Sequence, residues 1–407
     1  METDDATTLG RAFIQDPHAL YDELRAQAPA HPVVMWGGLR AWLVTRYADA
    51  RTLLADPRLS KDGDFMSKLF PSGDQSLPGH SLCGHMLLKD PPDHTRLRKL
   101  ASRAFTARTA ERLRPRIIQI ADELLAHLAD DGVDLIESFA MPLPLRVISE
   151  MLGVPAVYRD RFRSCVEPIL TSTNPDVLRT AEIELAELLS ALIERKHVEP
   201  ADDVLTGLVE ASDHSERFTE YELQSTAFLL ILAGYETTVN LIGNGILALL
   251  RRPDQLASLR ADSSLLPGAI EEFLRFDSPV NISTVRATTE TVRVGAVDIP
   301  ANQLVMIALL AANHDDEEFD GPDRLDITRT PNRHLAFGHG IHYCLGAPLA
   351  RLEGQIAIAR LLAKFDRITL DDEAGLRYRN SVLMRGLVSL PVHLRRVRTQ
   401  VRVDLRC

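Results

Sequence analysis

Residues 337–346 form a glycine-spaced stretch that presents one cysteine, Cys344, shortly before an amphipathic helical pattern. A thiolate is stabilised by a cation, by backbone N–H groups aimed at the sulfur, and by the positive end of a helix. The glycines permit sharp turns and close approach to a flat ligand, and the helix expected from about Leu345 places its positive end beside the sulfur. We therefore interpret Cys344 as a metal ligand. The alternative is a buried, inert thiol.

The ligand count restricts the kind of metal site. A structural zinc site needs four ligands at short spacings, whereas Cys83, Cys165, Cys344 and Cys407 are widely scattered. A cofactor that carries four equatorial ligands and takes one axial thiolate from the protein fits better, and that cofactor is haem. The scattered cysteines also give no disulfide framework, which favours a reducing compartment.

The fixed residues of this stretch, F-G-x-G-x-H-x-C-x-G, resemble the haem-binding loop of cytochrome P-450, the family of haem-thiolate monooxygenases. The resemblance covers about residues 16–392, with further motifs in the family's order. It implies a mainly α fold with small β-sheets, a single domain over 1–407, and haem b (heme b, iron protoporphyrin IX) as cofactor. It also implies that Cys344 ligates the iron and that His342 and Gly346 contribute to cofactor binding.

Three more basic residues are expected to bind the haem propionates. His94 and Arg98 are four residues apart in a predicted helix and so share one face. Taken alone they indicate a solvated basic face. In the family, an H-x-x-x-R pair at this point binds a propionate, as suits cations facing buried carboxylates. Arg286, at the end of a β-like run from Val280, matches a further propionate-binding arginine.

A long helix is predicted from a capping box at 219–222 to Arg251-Arg252, where Pro253 stops it. Its middle, 227–233, is apolar on every face, which predicts burial on every face. Proline, glycine and alternating apolar residues elsewhere predict two β-hairpins, around Gly37-Gly38 and around Gly295. Residues 61–89 have no sustained period and are interpreted as a long functional loop.

The long helix continues into a motif that resembles the family's oxygen-activating sequence. In that motif the small pair Ala233 and Gly234 makes room over the haem, and the acid and alcohol, Glu236 and Thr237, deliver protons. Tyr235 stands where the family often has histidine. The alternative is a satisfied helix interior, with Thr237 bonded to a carbonyl one turn earlier.

A helix predicted over 267–276 carries Glu272 and Arg275 in an E-x-x-R pair. Helical ion pairs are common and contribute little on a surface. In the family this pair is buried and joins an arginine upstream of the cysteine loop, for which Arg324 is the candidate. We assign these residues a structural role.

The segments that line the family's substrate pocket are mainly aliphatic in this chain. The candidates are Met86, Leu229, Leu232, Ala233, Val280, Asn281, Ile282, Leu383 and Met384. Such a lining suits a large, mostly apolar molecule with scattered oxygens. The sequence also resembles actinobacterial enzymes that hydroxylate macrolides, other polyketides and sterol or secosteroid compounds. We expect hydroxylation of an unactivated C–H bond on such a scaffold.

Composition favours a globular protein, with 45% hydrophobic and 25% charged residues. The net charge of −11 argues against general affinity for nucleic acid or anionic membranes. The polar N-terminus lacks the features of a signal peptide, and no stretch is expected to reach the length of a membrane span. We expect a cytoplasmic monomer.

Electrons are expected from a separate ferredoxin or flavodoxin with an NAD(P)H-dependent reductase, because the resemblance occupies the whole length and leaves no flavin domain. Five basic residues are candidates for its docking patch: Arg96, Lys99, Arg103, Arg108 and Arg351. Scattered solvated charge is the alternative. For the protein as a whole, the alternatives are a haem oxidase that uses peroxide or couples phenols, and a non-catalytic haem-binding partner protein. The intact Glu236 and Thr237 favour monooxygenation driven by O2.

Overall fold

The computed structural model describes residues 6–35, 38–70, 82–129, 132–171, 174–211 and 216–397. Within them the protein is mainly helical with three small β-sheets, which confirms the predicted fold class. The helices are α1 (Arg11–Gln15), α2 (His18–Gln27), α3 (Tyr47–Leu54), α4 (Gly63–Ser67), α5 (Asp93–Ala104), α6 (Ala107–Arg112), α7 (Arg114–His127), α8 (Pro142–Met151), α9 (Arg159–Thr171), α10 (Pro175–Val198), α11 (Val204–Glu210), α12 (Glu220–Arg251), α13 (Pro253–Ala261), α14 (Leu266–Phe276), α15 (Leu309–Ala312) and α16 (Ala347–Lys364). The strands are β1 (Thr7–Thr8), β2 (Ala30–Val34), β3 (Arg40–Val44), β4 (Leu59–Ser60), β5 (Val133–Asp134), β6 (Arg286–Thr288), β7 (Val292–Val294), β8 (Val297–Ile299), β9 (Leu304–Ile307), β10 (Phe365–Leu370) and β11 (Pro391–Arg396).

The largest sheet has the strand order β1-β2-β3-β9-β6-β4. Strands β2 and β3 pair antiparallel, which confirms the first predicted hairpin, although Trp36 and Gly37 of its turn lie outside the described residues. Strands β7 and β8 pair around Gly295, whose φ of +56° favours glycine, and so confirm the second hairpin. At one edge of the large sheet β4 pairs with β6, which carries Arg286.

The described residues within 61–89, namely 61–70 and 82–89, are less irregular than expected. Helix α4 begins after Asp62, whose carboxylate accepts the N–H of Phe65 at 2.8 Å. A single helical turn follows at Met86–Leu88. The interpretation as a loop is therefore wrong at α4, because five residues are too few to show a helical period. Residues 71–81 lie outside the described part of the chain.

Helix α12 is the central element, and its predicted capping box is present. Thr219 Oγ1 accepts the N–H of Glu222 at 3.2 Å, and Glu222 Oε2 accepts the N–H of Thr219 at 2.8 Å. By length and composition alone this helix is long and apolar enough to cross a membrane, so the expectation that no stretch reaches that length is wrong. Its most apolar window is 67% buried inside the protein, as in the core helix of a globular domain. The largest buried apolar cluster includes this helix and draws side chains from Leu82 to Leu394.

The E-x-x-R pair of α14 is fully buried. Arg275 Nε donates to Glu272 Oε2 and Arg275 Nη2 donates to Glu272 Oε1, both at 2.8 Å. Arg275 Nη1 also donates to the carbonyls of Asn313 and Pro322 at 2.9 and 2.8 Å. A buried ion pair is tolerated when the remaining donors and acceptors are also satisfied, and these bonds satisfy them.

The arginine that joins this pair is Arg329, so the prediction of Arg324 is wrong. Arg329 Nε lies 3.2 Å from Glu272 Oε2. The side chain of Arg324 is 64% exposed and pairs with Asp326 at 3.4 Å, and only its main-chain carbonyl accepts a hydrogen bond from Arg275. The cause is a contact between distant segments: the N–H of Asp326 donates to Glu272 Oε1 at 2.9 Å, so the chain wraps around the carboxylate and Arg329, a later residue, reaches it.

Candidate active site

The loop that carries Cys344 is closed by its own backbone. The N–H of Cys344 donates to the carbonyl of Phe337 at 2.9 Å. Gly338 and Gly340 have φ values of +73° and +75°, in the left-handed region that favours glycine. A Cβ at Gly340 would also lie 2.9 Å from Cα of Ala55. At that position glycine is required by close approach to the protein's own backbone, whereas the sequence had suggested approach to a ligand.

The sulfur of Cys344 faces a cavity at the start of α16. Burial raises the pKa of its thiol, while the N–H groups of Gly346 and Ala347 and the guanidinium of Arg98 oppose that rise. The N–H donors and the helix start thus lie beside the sulfur, as predicted from the sequence. A bound cation would complete the stabilisation of a thiolate. Among the described residues, no group of three or more His, Cys, Asp or Glu is placed to hold a metal ion. This arrangement fits a metal that brings its other ligands with it.

A cavity of about 360 Å³ brings most of the predicted site residues together. Its lining includes His94, Arg98, Arg286, His342, Cys344 and Gly346, the α12 residues Leu229, Ala233, Gly234 and Thr237, and the pocket candidates Met86, Val280, Ile282, Leu383 and Met384. These residues come from segments up to about 300 positions apart in the chain. The predicted cofactor and substrate residues therefore line one shared cavity.

Two predicted pocket residues do not line this cavity, so those predictions are wrong. Asn281 is buried on the other side of its segment, where its Oδ1 accepts the hydroxyl of Tyr21 at 2.8 Å and its Nδ2 donates to the carbonyl of Val382 at 3.0 Å. Leu232 packs against the main core. On α12 the cavity-facing positions recur every three to four residues, and Leu232 falls between them.

Four basic residues line the cavity near one another, and we call them the cationic cluster: His94, Arg98, Arg286 and His342. The rings of His94 and His342 lie 4.3 Å apart, and Arg286 is buried beside them. Burial lowers the pKa of Arg286 to about 10 and that of His342 to about 2. Within the described chain, Arg286 Nε and His94 Nε2 are buried without hydrogen-bond partners. Buried polar atoms normally have partners, so the cluster fits an anionic ligand such as the two propionates of a haem.

Glu236 and Thr237, the acid and the alcohol of α12, have different positions relative to the cavity. Thr237 lines the cavity, and its Oγ1 donates to the carbonyl of Ala233 at 2.7 Å, which is the bond expected of a satisfied helix interior. Glu236 is outside the cavity lining; burial raises the pKa of its carboxyl, and Arg379 opposes that rise. A Cβ at Gly234 would lie 3.4 Å from Ile148 Cδ1, which is an ordinary contact distance, so packing alone does not require glycine there.

Two ionisable residues of the cavity wall were missed by the sequence reasoning, Lys61 and Glu353. Lys61 comes from the segment interpreted as a loop, and its position on the cavity wall depends on the pairing of β4 with β6. Glu353 lies on α16 at a position three to four residues from Leu349 and Ala350, which also line the cavity. Helical spacing from the cysteine loop was the one available signal for it.

Because Glu353 is buried and its pKa is raised, the free energy of unfolding should depend on pH. The residue is 1% exposed, its Oε2 has no partner in the described structure, and burial raises its pKa from 4.5 to about 8. Between those values the folded protein holds a proton that the unfolded chain releases. The free energy of unfolding should therefore fall as the pH rises from about 4.5 to about 8, by at most about 1.4 kcal/mol per pH unit.

Glu353→Gln should remove this dependence. We expect the unfolding free energy of the variant, relative to the native protein, to increase between about pH 5 and pH 8 and to level off above that. Denaturant titrations of the haem-loaded protein, followed by far-UV circular dichroism, measure it. Glu194→Gln, at an exposed position of α10, is the control. A difference that stays constant with pH would contradict a buried, protonated Glu353.

Comparisons with known proteins agree with this geometry. The profile of the family described as "Cytochrome P450" matches residues 146–391. The chain is similar to cytochrome P450 107B1 of Saccharopolyspora erythraea, with 51% identity over 96% of this chain and 98% of that protein. It is 48% identical to the vitamin D(3) 25-hydroxylase of Pseudonocardia autotrophica, over 93% and 94% of the two chains. The solved structure of the P450 monooxygenase TamI bound to tirandamycin C superposes with a TM-score of 0.87 at 49% identity, covering 95% of this chain and all of that one.

Proposed function

The chain belongs to the cytochrome P450 family, and we propose that it hydroxylates a bulky, mostly apolar small molecule with O2 and two electrons from a separate redox protein. Family membership makes it a haem-thiolate monooxygenase with haem b. The observation that carries the proposal is the single cavity that contains Cys344, the cationic cluster and an apolar wall.

The haem would be held by Cys344 at the iron and by His94, Arg98, Arg286 and His342 at the propionates. The chemistry of these groups supports the assignment. The sulfur has N–H donors and a helix start beside it, and the unpartnered Arg286 Nε needs an acceptor, as His94 Nε2 does when it is protonated. Gly346 lies beside the ligating atom, since a Cβ there would be in ordinary contact with the sulfur at 3.8 Å.

When bound, the haem supplies the oxidising chemistry, with the thiolate favouring cleavage of the O–O bond. The protein contributes protons and shape. A carboxyl with a raised pKa, such as Glu236, can take up and release a proton closer to neutral pH than an exposed one. Thr237 presents a hydroxyl on the cavity wall that can accept one hydrogen bond while it donates another. Since Glu236 is outside the lining, a proton from it would have to reach the cavity through water or a side-chain rotation.

The proposed substrate is a macrolide, another polyketide or a steroid-like compound. The wall formed by Leu229, Leu230, Val280 and Ile282 is apolar, and Thr284 adds a polar contact. One similar protein is named for a hydroxylation of vitamin D(3), and one similar structure holds tirandamycin C, which supports a bulky scaffold.

Titration of the ferric protein with macrolactones, sterols, fatty acids and small monoterpenes tests this choice. We expect the low-to-high-spin shift to be strongest for the first two classes. Leu229→Phe should weaken binding of the best ligand about tenfold by narrowing the pocket, whereas Val198→Phe, at the exposed end of α10 and outside the lining, should leave it nearly unchanged. A tight response only to fatty acids or camphor-sized ligands would contradict the proposal.

The electron donor we propose is a ferredoxin or flavodoxin with an NAD(P)H-dependent reductase. The predicted docking patch is partly neutralised, because Arg96 pairs with Glu222, Lys99 pairs with Glu216 at 2.8 Å, and Arg351 pairs with Glu271 at 2.7 Å. Arg108 is exposed. The exposed side chains of Ile341 and Tyr343 flank the cysteine loop and offer an apolar contact in addition to charge. We further propose a single domain and a cytoplasmic monomer.

One observation favours a second candidate function. Thr237 already bonds the carbonyl of Ala233, so a purely structural Thr237 in an enzyme that uses peroxide is the alternative. Turnover with peroxide but not with reductase and O2 would favour this alternative. A non-catalytic haem-binding protein would give product in neither assay.

A further inference from the structure

Lys61 is a lysine on the cavity wall that is only 1% exposed. It directly follows β4, which pairs antiparallel with β6 so that Ser60 lies opposite Ala287. Continued by one residue, this register places Lys61 opposite Arg286. Residues directly opposite each other in an antiparallel pair point to the same face of the sheet. The pairing therefore explains why both cations face the same cavity.

The main chain at Lys61 is fixed by Asp90. One carboxylate oxygen of Asp90 accepts the N–H of Lys61 at 2.9 Å, and the other accepts the hydroxyl of Ser60 at 2.5 Å. The carbonyl of Asp90 accepts the N–H of His94 at 2.9 Å. Asp90 thus connects the end of β4 to the start of α5, the helix that carries His94 and Arg98.

The ammonium of Lys61 bonds to neutral oxygens. Lys61 Nζ donates to Thr284 Oγ1 at 2.7 Å and, more weakly, to the carbonyl of Val285 at 3.4 Å. Burial and the neighbouring Arg286 lower the pKa of Lys61 well below its usual value, and Asp90 opposes them. A buried ammonium is costly without an anionic partner. The hydrogen bonds orient Lys61 Nζ without neutralising it.

The charges around this part of the cavity do not balance. Lys61, Arg98 and Arg286 carry three positive charges when all three are protonated, and the imidazoles of His94 and His342 add none when neutral. Asp90 is the one carboxylate, among the described residues, that raises the pKa of Lys61, Arg286 and His94. Two positive charges remain. A ligand with two carboxylates would neutralise them.

We propose that Lys61 is a further cofactor-binding residue, whose ammonium binds a haem carboxylate beside Arg286. This inference rests on the proposed position of the haem in the cavity. It adds a fifth anchor to the four residues that the sequence motifs indicate, and it places that anchor directly after β4, on a different segment from α5 and the cysteine loop.

Lys61→Met tests the inference, because methionine is also a long, unbranched side chain but carries no charge. In the haem-loaded protein, transfer of haem to excess apomyoglobin at pH 7 should be about tenfold faster, as expected when a charge-assisted hydrogen bond is lost. The ferric/ferrous midpoint potential should fall, because removing a nearby cation favours the more positive ferric state. Lys61→Arg should restore both values toward those of the native protein.

Two further variants separate charge from packing. Lys68→Met, at an exposed position of the same segment, should leave haem transfer and potential unchanged. Thr284→Val removes the neutral partner of Lys61 Nζ but leaves the charge, so the potential should stay near the native value. If the midpoint potential shifts as much in Thr284→Val as in Lys61→Met, the role of Lys61 is structural and the proposal is overturned.

Native haem transfer and potential in folded Lys61→Met would also overturn it, as would equal losses in Lys61→Met and Lys61→Arg. If Lys61→Met does not fold with haem, the midpoint potentials of Lys61→Arg and Thr284→Val test the proposal instead. Native-like potentials in both variants would support the role of the charge, and equal shifts of the potential in both would overturn it. The carbon monoxide spectrum keeps this test apart from the proposed function. Absence of a thiolate-type band in the native protein would refute the haem-thiolate assignment, whatever Lys61 does.

Discussion

Cys344→Ser is expected to abolish the red-shifted absorption band that the reduced native protein should give with carbon monoxide. That band reports a thiolate bound to haem iron, and a serine hydroxyl remains protonated where a thiol can ionise. The substitution should leave the loop in place, because the loop is closed by the main-chain N–H of Cys344 on the carbonyl of Phe337. The loss should therefore be close to complete and should reflect the ligand rather than unfolding.

Cys83→Ser is the matched control, since Cys83 lies outside the cavity lining. It should keep the native band. Total haem, measured as the pyridine haemochrome, separates loss of the ligand from loss of the cofactor, because the cationic cluster remains in Cys344→Ser. Persistence of the red-shifted band in Cys344→Ser would show that another group ligates the iron.

The features that the sequence predicted well are those set by local spacing. Helix α12 follows from its capping box and apolar run, and the hairpin around Gly295 follows from a residue that must adopt a positive φ. Cys344 and His342 lie two residues apart in one short loop, so a single motif places both. His94 and Arg98 share a face because they are one helical turn apart.

The features that the sequence missed depend on how distant segments meet. Arg329 reaches Glu272 because the chain around Asp326 folds back on that carboxylate, which no local spacing indicates. Lys61 faces the cavity because β4 pairs with a strand more than 200 residues later. Asn281 turns away because Tyr21, near the N-terminus, satisfies its side chain. In each case the deciding contact is long-range, so residue types near the motif were insufficient.

Thr237→Ala is expected to separate electron consumption from product formation. The variant should bind substrate and oxidise reduced nicotinamide through the redox partners, while product per nicotinamide falls about tenfold or more and hydrogen peroxide rises. The reason is that Thr237 presents a hydroxyl on the cavity wall, whereas its neighbours there, Ala233 and Gly234, have no side-chain group that can donate a proton. Thr238 also lines the cavity, but this residue is only 2% exposed and its hydroxyl donates to the carbonyl of Gly234 at 2.9 Å.

Controls must distinguish proton delivery from loss of the bond between Thr237 and Ala233. Thr237→Ser keeps the hydroxyl and should recover most of the coupling. Thr180→Ala removes the same kind of bond, from Thr180 Oγ1 to the carbonyl of Asp176 at 2.9 Å, from the exposed face of α10, and should leave coupling unchanged. Product, peroxide and nicotinamide are measured in the same reaction. Native coupling in Thr237→Ala would mean that protons reach the oxygen by another path, and that the bond to Ala233 is the whole role of this threonine.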